Sequence, residues 1–347
     1  MANRRAIWAA LKVAIVLVVI GLLYLVLRRI GFRNIFSAIR SADPATIGSA
    51  ALLFLTVFVL WCFRWVQIMN ATGRRSFLRV FPIYMAGVFV NIITPGARVG
   101  GEPVRAYYMS KAFGGEKTFY LGTILADKVS YGAVFFGFVV VSVFFVVAFV
   151  PIALVYKLVL GSVVLGVLLA VVSGFLVRRQ IGDRSRLLGK LLRAIYEGRL
   201  LEFIRRRFPT YEHFEEYAIS KMDNLVSPLA RTAGSPRALT RTALISAVSW
   251  LLVCLAHQVL FHGLGAEISF SRVLVIVTIS TFVGDVSMSP GGAGFMEAAM
   301  LALCAAFGVK SQTAAAVTLV SRGMFYLFGL GLGGGCLAVL TALYGRD

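Results

Sequence analysis

Acidic residues are scarce in this chain. Fifteen Asp and Glu stand against 35 Lys and Arg in 347 residues, and charged residues together make up only 14%. A soluble domain carries about 25% charged residues, so an ordinary soluble enzyme and a charged, disordered chain are both excluded. Cysteine is nearly absent as well. Cys62, Cys254, Cys304 and Cys336 sit singly in apolar runs, which excludes a disulfide-stapled scaffold and marks them as small buried hydrophobes. Of the three histidines, His213 lies in a polar loop, while His257 and His262 are five residues apart without further ligands, so no metal site is expected. No Ser–His–Asp or Cys–His set assembles, and the PGGAG string lacks the Gly-Lys-Ser/Thr of a nucleotide loop. Neither catalysis nor a cofactor is expected.

What the chain has in quantity is apolar surface and positive charge: 59% of its residues are hydrophobic, and its net charge is +20. That combination points to a multi-pass membrane protein facing an anionic cytoplasmic leaflet. Nucleic acid is not an expected partner, because the apolar runs leave no polar fold to carry a basic groove. Stretches long enough to cross a core of about 30 Å occur at 7–27, 46–69, 118–149, 153–177, 241–262 and 311–343. The first is too long for a cleavable signal peptide, and Lys12 interrupts it without a small-residue cleavage site behind it. Two shorter stretches, 79–93 and 272–288, run into the Pro-Gly strings IITPGARVGGEP and SMSPGGAGF. A Pro-Gly pair frees backbone groups, which is tolerated at membrane depth only inside protein or beside a watery cavity.

Charge sets the orientation. Fourteen Lys and Arg fall in 178–241, so that loop is expected in the cytoplasm. Counting outward from it places both termini in the cytoplasm, provided 79–117 enters and returns on the cytoplasmic side and 272–310 does so on the outer side. Arg28, Arg29, Arg33 and Arg40 then fall in an outer loop, against the rule. The expected fold is an all-α polytopic membrane protein: six full spans plus two re-entrant helical hairpins arranged as an inverted repeat. It forms a single transmembrane domain over 1–347, with a first repeat at 45–150, a basic amphipathic segment at 178–240 and a second, inverted repeat at 241–345. The basic segment suits either the leaflet surface or a solvated helical hairpin.

The repeat rests on matching strings. TPGARVGGE runs from Thr94 to Glu102 and SPGGAGFME from Ser289 to Glu297, each with a glutamate seven residues after its proline. A cation follows each glutamate after 26 or 25 residues, Lys128 in the first case and Arg322 in the second. Inverted repeats with broken helices that meet at the midplane are a transporter architecture. Ionisable groups in spans cost roughly 2.5–3.5 kcal/mol each on insertion scales and so call for a reason. They are Arg64, Arg98, Glu102, Arg105, Asp127, Lys128, Asp285, Glu297 and Arg322, and all but Arg64 lie in the hairpins or the helices after them.

These eight hairpin-associated residues are the candidate substrate-binding set. The alternative is internal pairing, Glu102 with Lys128 and Glu297 with Arg322, that only holds the hairpins in place. The hairpin loops, Thr94, Pro95, Gly96, Gly100 and Gly101 in one and Ser289, Pro290, Gly291, Gly292 and Gly294 in the other, offer close backbone approach, with Thr94 and Ser289 as hydroxyl caps. Helix N-termini and arginines favour phosphate. The carboxylates suit a cationic headgroup or a coupling proton. Tyr107, Tyr108, Trp8, Trp61, Trp65 and Trp250 suit interfacial belts or packing, and Gly329, Gly331, Gly333, Gly334 and Gly335 suit close helix packing.

The string NIITPGARVGGEPVRAYYM resembles the signature hairpin of the lysylphosphatidylglycerol synthase membrane-domain family of flippase-like proteins, and SPGGAGFMEAAM resembles its second hairpin. The likeness runs from the first span to the last. It implies a polytopic protein of the cytoplasmic membrane that moves lipid between leaflets; with the chain ending at Asp347 just after its last span, the expectation is translocation without a soluble synthase domain. The family often has Glu-Arg-x-x-Asp in the helix after the first hairpin. Here Asp127 and Lys128 keep the signs, but Tyr131 replaces the last acid.

The expected function is a lipid flippase, with an anionic or aminoacylated phospholipid or a lipid-linked sugar as its ligand. Arg98, Arg105, Lys128 and Arg322 would hold the phosphate. A membrane-embedded lipid-modifying transferase, or a regulatory partner of one, is the alternative. A lipid-synthesising enzyme and a second copy of the chain stand open as protein partners.

Overall fold

A computed structural model of the protein describes residues 42–70, 73, 75–94, 100–149, 210–287 and 289–344, together with Ser37, Arg40, Gly161, Gly166, Arg193, Tyr196 and Phe208. The expected spans at 7–27 and 153–177, most of the basic segment up to residue 207, and Pro95, Gly96 and Arg98 lie outside the described residues.

Apolar runs bounded by capping residues become helices. Helix α1 (Pro44–Asn70) starts where Asp43 Oδ1 accepts from the Ala45 N–H at 3.2 Å and Pro44 fixes the first turn. Helix α2 (Phe77–Ile93) and helix α3 (Gly101–Phe113) are joined through the first Pro-Gly string, and α4 (Lys117–Phe149) follows. The polar α5 (Tyr211–Gly234) leads into α6 (Pro236–Gly263), which opens like α1, with the Ser235 hydroxyl accepting from Ala238 N–H ahead of a first-turn proline. Helices α7 (Phe270–Val286) and α8 (Phe295–Ala306) flank the second Pro-Gly string, and α9 (Ser311–Tyr326) continues through a widened turn at Leu327–Leu332 into α10 (Gly333–Tyr344). Among the described residues, four helical stretches are long and apolar enough to cross a membrane: Pro44–Asn70, Lys117–Phe149, Pro236–Gly263 and Ser311–Tyr344. The described residues contain no strand.

The packing falls into two clusters that α1 joins. Its amino-terminal part packs with α6, α7, α9 and the middle of α4 around Trp250, Phe261 and Val277. Its carboxyl-terminal part packs with α2, α3, the start of α4 and α10 around Trp65, Met85 and Met109. The two broken-helix pairs exchange partners: α2 of the first pair lies on α10, and α7 of the second lies on α4. Leu52, Val141, Phe144 and Leu244 point outward from the long helices, as lipid-facing positions must.

Small residues set the closest approaches. A Cβ on Gly101 would lie 1.9 Å from the Gly87 carbonyl oxygen, so α2 and α3 meet backbone to backbone. A Cβ on Gly333 would fall 2.6 Å from Met85 O, which places α10 equally close to α2. Gly329 and Gly334 also meet α2, whereas Gly331 and Gly335 face open space, so the packing role expected of that glycine run holds for only part of it. In the second break, Gly291, Gly292 and Gly294 adopt φ of 59°, 74° and 84°, the region that disfavours side chains.

Helix α5 is tied to the start of α4. Glu116 accepts from Lys221 Nζ at 2.5 Å and from Asn224 Nδ2 at 3.0 Å, and α5 lies so close to α4 that a Cβ on Gly122 would reach Leu225 O at 2.4 Å. The Lys221 hydrogen bond, helped by Thr118, holds the Glu116 carboxyl below its usual range. A carboxyl depressed in this way contributes its contact above the ordinary carboxylate pKa and loses it as pH falls through the lowered value.

Two outcomes check this packing. Gly101→Val is expected to destabilise the protein by about 1–3 kcal/mol, read as earlier thermal unfolding in detergent, while Gly331→Ala leaves the transition unmoved. Glu116→Gln is expected to raise hydrogen exchange in α5 at neutral pH, and the difference from the parent protein should vanish in acid.

Candidate functional site

Where the end of α2 approaches the second Pro-Gly break, charged residues of α1, α3, α4 and α9 are buried between the helices. The first cluster centres on Asp127 of α4, which is 2% exposed. Its Oδ1 accepts from Arg64 Nε at 2.7 Å, and its Oδ2 lies 3.8 Å from Arg105 Nη2. Arg64 comes from α1, Arg105 from α3 and Asp127 from α4, so one carboxylate joins three helices. Beside it, Lys128 forms an ion pair with Glu102 in the first turn of α3.

Arg105 is held by rings. Its guanidinium carbon lies 3.9 Å from the Trp65 ring centre and 4.5 Å from that of Tyr84. Gly87 leaves room for its stem, since a Cβ there would fall 2.4 Å from Arg105 Cγ. Arg64 lies 4.9 Å over the Tyr131 ring, which in turn stacks on Phe135 at 5.7 Å.

The second cluster is closed on itself. Arg322 Nε donates to Glu297 Oε1 at 2.6 Å, and its Nη2 donates to the Gly291 carbonyl at 2.8 Å and to Tyr326 Oη at 2.7 Å. Glu297 Oε2 accepts from Gly294 N–H at 2.5 Å and so caps α8. Both ion pairs that the sequence suggested, Glu102–Lys128 and Glu297–Arg322, are present. The second is the more buried, because Lys128 is 39% exposed and Arg322 only 8% by side chain.

Two cavities adjoin these clusters. The larger, about 140 Å³, is bounded by Arg64, Arg105, Asp127 and Lys128 from the first half, and Gly291 and Phe325 from the second. The smaller, about 50 Å³, holds Arg322, His257, Thr281 and Ser321. Trp61, Tyr131 and Phe325 form the wall they share. The His257 ring nitrogen Nδ1 is bonded to Val253 O at 2.8 Å, in keeping with a core histidine. Among the described residues, no group of three His, Cys, Asp or Glu side chains is placed to hold a metal.

Of the expected site residues, Arg105, Asp127 and Lys128 reach the larger cavity, and Arg322 the smaller. Glu102 and Glu297 stand behind their cations. Asp285, near the end of α7, lines neither of these cavities. The hydroxyl caps are corrected. Thr94 Oγ1 bonds back to Val90 O at 2.6 Å, closing α2, and Ser289 Oγ pairs with Ser287 Oγ at 2.9 Å. Both stand too far before the next helix to cap it. That task falls to Asn91, whose Oδ1 accepts from Gly101 N–H at 2.7 Å, and to Glu297.

Sequence reasoning set Arg64 apart and assigned Trp61 and Trp65 to belts or packing. The signal for Arg64 was its place as the lone charge within an apolar span, where a buried partner is required. Asn91, Tyr84 and Tyr131 gave no such signal.

A family profile described as "Lysylphosphatidylglycerol synthase TM region" matches residues 9–333. Similar proteins include a UPF0104 membrane protein of Methanothermobacter thermautotrophicus, 28% identical over 313 residues, which cover 88% of this chain and 89% of that one. Others are the UPF0104 membrane proteins of Pyrococcus horikoshii, 25% identical over 320 residues (90% and 92%), and Methanocaldococcus jannaschii, 25% identical over 318 residues (90% of each). Their names state a membrane protein and no activity.

Removing one partner from the buried Arg64–Asp127 pair leaves the other charge without compensation. Asp127→Ala is expected to cost about 3–5 kcal/mol, and Arg64→Met combined with Asp127→Leu less than the two single changes added. Thermal unfolding of the three variants measures this coupling.

Proposed function

The chain belongs to the family of the lysylphosphatidylglycerol synthase transmembrane region, and from that premise we propose that this multi-pass membrane protein is a lipid flippase. It moves the headgroup of a phospholipid or lipid-linked intermediate between leaflets while the apolar tail stays in the bilayer. The observation that carries this reading is the larger cavity, whose wall sets three cations against one carboxylate and draws residues from both broken-helix pairs. A charged space of this kind among apolar spans suits passage of a polar headgroup.

In this proposal the two pairs are re-entrant hairpins of an inverted repeat within a six-span domain of the cell membrane, and both termini are cytoplasmic. The exchange of partners, α2 with α10 and α7 with α4, supports the repeat, as do the matched pairs Glu102–Lys128 and Glu297–Arg322. Arg105 and Lys128 receive the headgroup. Arg322 and Glu297 hold the second hairpin in place. The protein acts by transport and not by catalysis.

Leaflet exchange of fluorescent phospholipids in proteoliposomes tests the proposal. Arg105→Ala and Lys128→Ala are expected to slow exchange by about tenfold or more, and rates equal to the parent protein's would remove the cavity from the mechanism. A cysteine at Gly292 is expected to label from outside and one at Gly96 from inside; labelling of both from one face would overturn the inverted arrangement.

A further inference from the structure

The transport reading leaves the headgroup unnamed, and the inference that follows rests on that reading. Arg105 is 5% exposed, yet its Nε and Nη2 have no hydrogen-bond partner. Nη2 is 3.8 Å from Asp127 Oδ2, beyond hydrogen-bond reach. The rings of Trp65 and Tyr84 offset part of the desolvation of this charge, but an aromatic face does not accept the in-plane N–H donors of a guanidinium. Two charged donors therefore lack an acceptor on a side chain that lines a cavity of about 140 Å³.

The charge balance of that wall is equally specific. Arg64, Arg105 and Lys128 face it with Asp127, and Glu102 behind Lys128 offsets one more cation. One positive charge is left over among these residues. Both carboxylates are paired with cations, Asp127 through Oδ1 with Arg64 and Glu102 with Lys128. Two of the aromatic faces on the wall already carry a cation, Tyr131 by Arg64 and Tyr84 by Arg105. The Trp61 indole N–H, also without a partner, adds a neutral donor to the same wall.

We propose that the cavity selects a singly anionic phosphodiester whose remaining polar groups are uncharged acceptors such as hydroxyls, and that it discriminates against aminoacylated headgroups of net positive charge. The phosphate sits on Arg105, the hydroxyl-bearing part lies toward Trp61, and the excess positive charge of the wall repels an added ammonium.

Binding is measured by intrinsic tryptophan fluorescence of the full chain in detergent, independently of transport. The probes are dioctanoyl phosphatidylglycerol, its lysyl ester, dioctanoyl phosphatidylethanolamine, glycerol phosphate and inorganic phosphate. Phosphatidylglycerol is expected to bind at least about tenfold more tightly than the lysyl ester, with phosphatidylethanolamine between them. Glycerol phosphate matching the lipid would assign the site to a soluble phosphate and overturn the lipid source; inorganic phosphate matching it would do the same.

Asn91→Asp keeps the acceptor for Gly101 N–H and adds one negative charge to the wall. It is expected to move the preference toward the lysyl ester by about tenfold, while Arg105→Lys weakens phosphatidylglycerol binding. Equal or tighter binding of the lysyl ester by the parent protein, or an unmoved preference in Asn91→Asp, would overturn the proposal. Selective binding without leaflet exchange would defeat the transport reading alone. Exchange with equal binding of both esters would defeat the selectivity alone.

Discussion

One buried carboxylate governs the centre of this protein. Asp127 is shared between Arg64 and Arg105, and through them three helices that diverge elsewhere are tied at one point. A lone arginine in an apolar span is expensive, and so is a lone aspartate; each is tolerated here because the other is present. The second arginine goes beyond that balance. Because Asp127 accepts a hydrogen bond from Arg64 and meets Arg105 only at long range, the cluster keeps a cation with unpartnered donors. The same contact that permits folding therefore leaves a site able to take an anion.

The two halves treat the same sequence pattern differently. In the second, the Arg322 guanidinium is saturated by Glu297, the Gly291 carbonyl and Tyr326, and the break is shaped by glycines at positive φ. In the first, the break depends on Gly101 meeting Gly87 without a side chain between them, and Lys128 and Arg105 line the larger cavity. One half thus ties its arginine into the break, and the other leaves Arg105 with unpartnered donors beside the larger cavity, although their Pro-Gly and glutamate spacings match. The aromatic wall of Trp61, Tyr131 and Phe325 stands between them.

Much of this was legible in the sequence. Long apolar runs gave helix positions close to those observed, 46–69 against Pro44–Asn70 and 118–149 against Lys117–Phe149, because the length of an apolar run decides what can cross a bilayer. Near-equal offsets from glutamate to cation, 26 and 25 residues, gave both ion pairs. The role of Arg64 was not legible, because its partner is 63 residues away on another helix and no local spacing encodes that contact. Thr94 and Ser289 misled for a related reason: a hydroxyl near a break can bond backward to the helix it leaves as easily as forward. Tyr131 looked like a loss of charge relative to the family pattern, yet its ring is the surface on which Arg64 rests.

The central claim is that the open donors of Arg105 hold an anionic lipid headgroup. Native mass spectrometry of the protein purified from its membrane, beside Arg105→Ala, tests it most directly. The account predicts a retained anionic phospholipid on the parent protein that is lost from the variant. Equal retention of the same lipid by both proteins would contradict it.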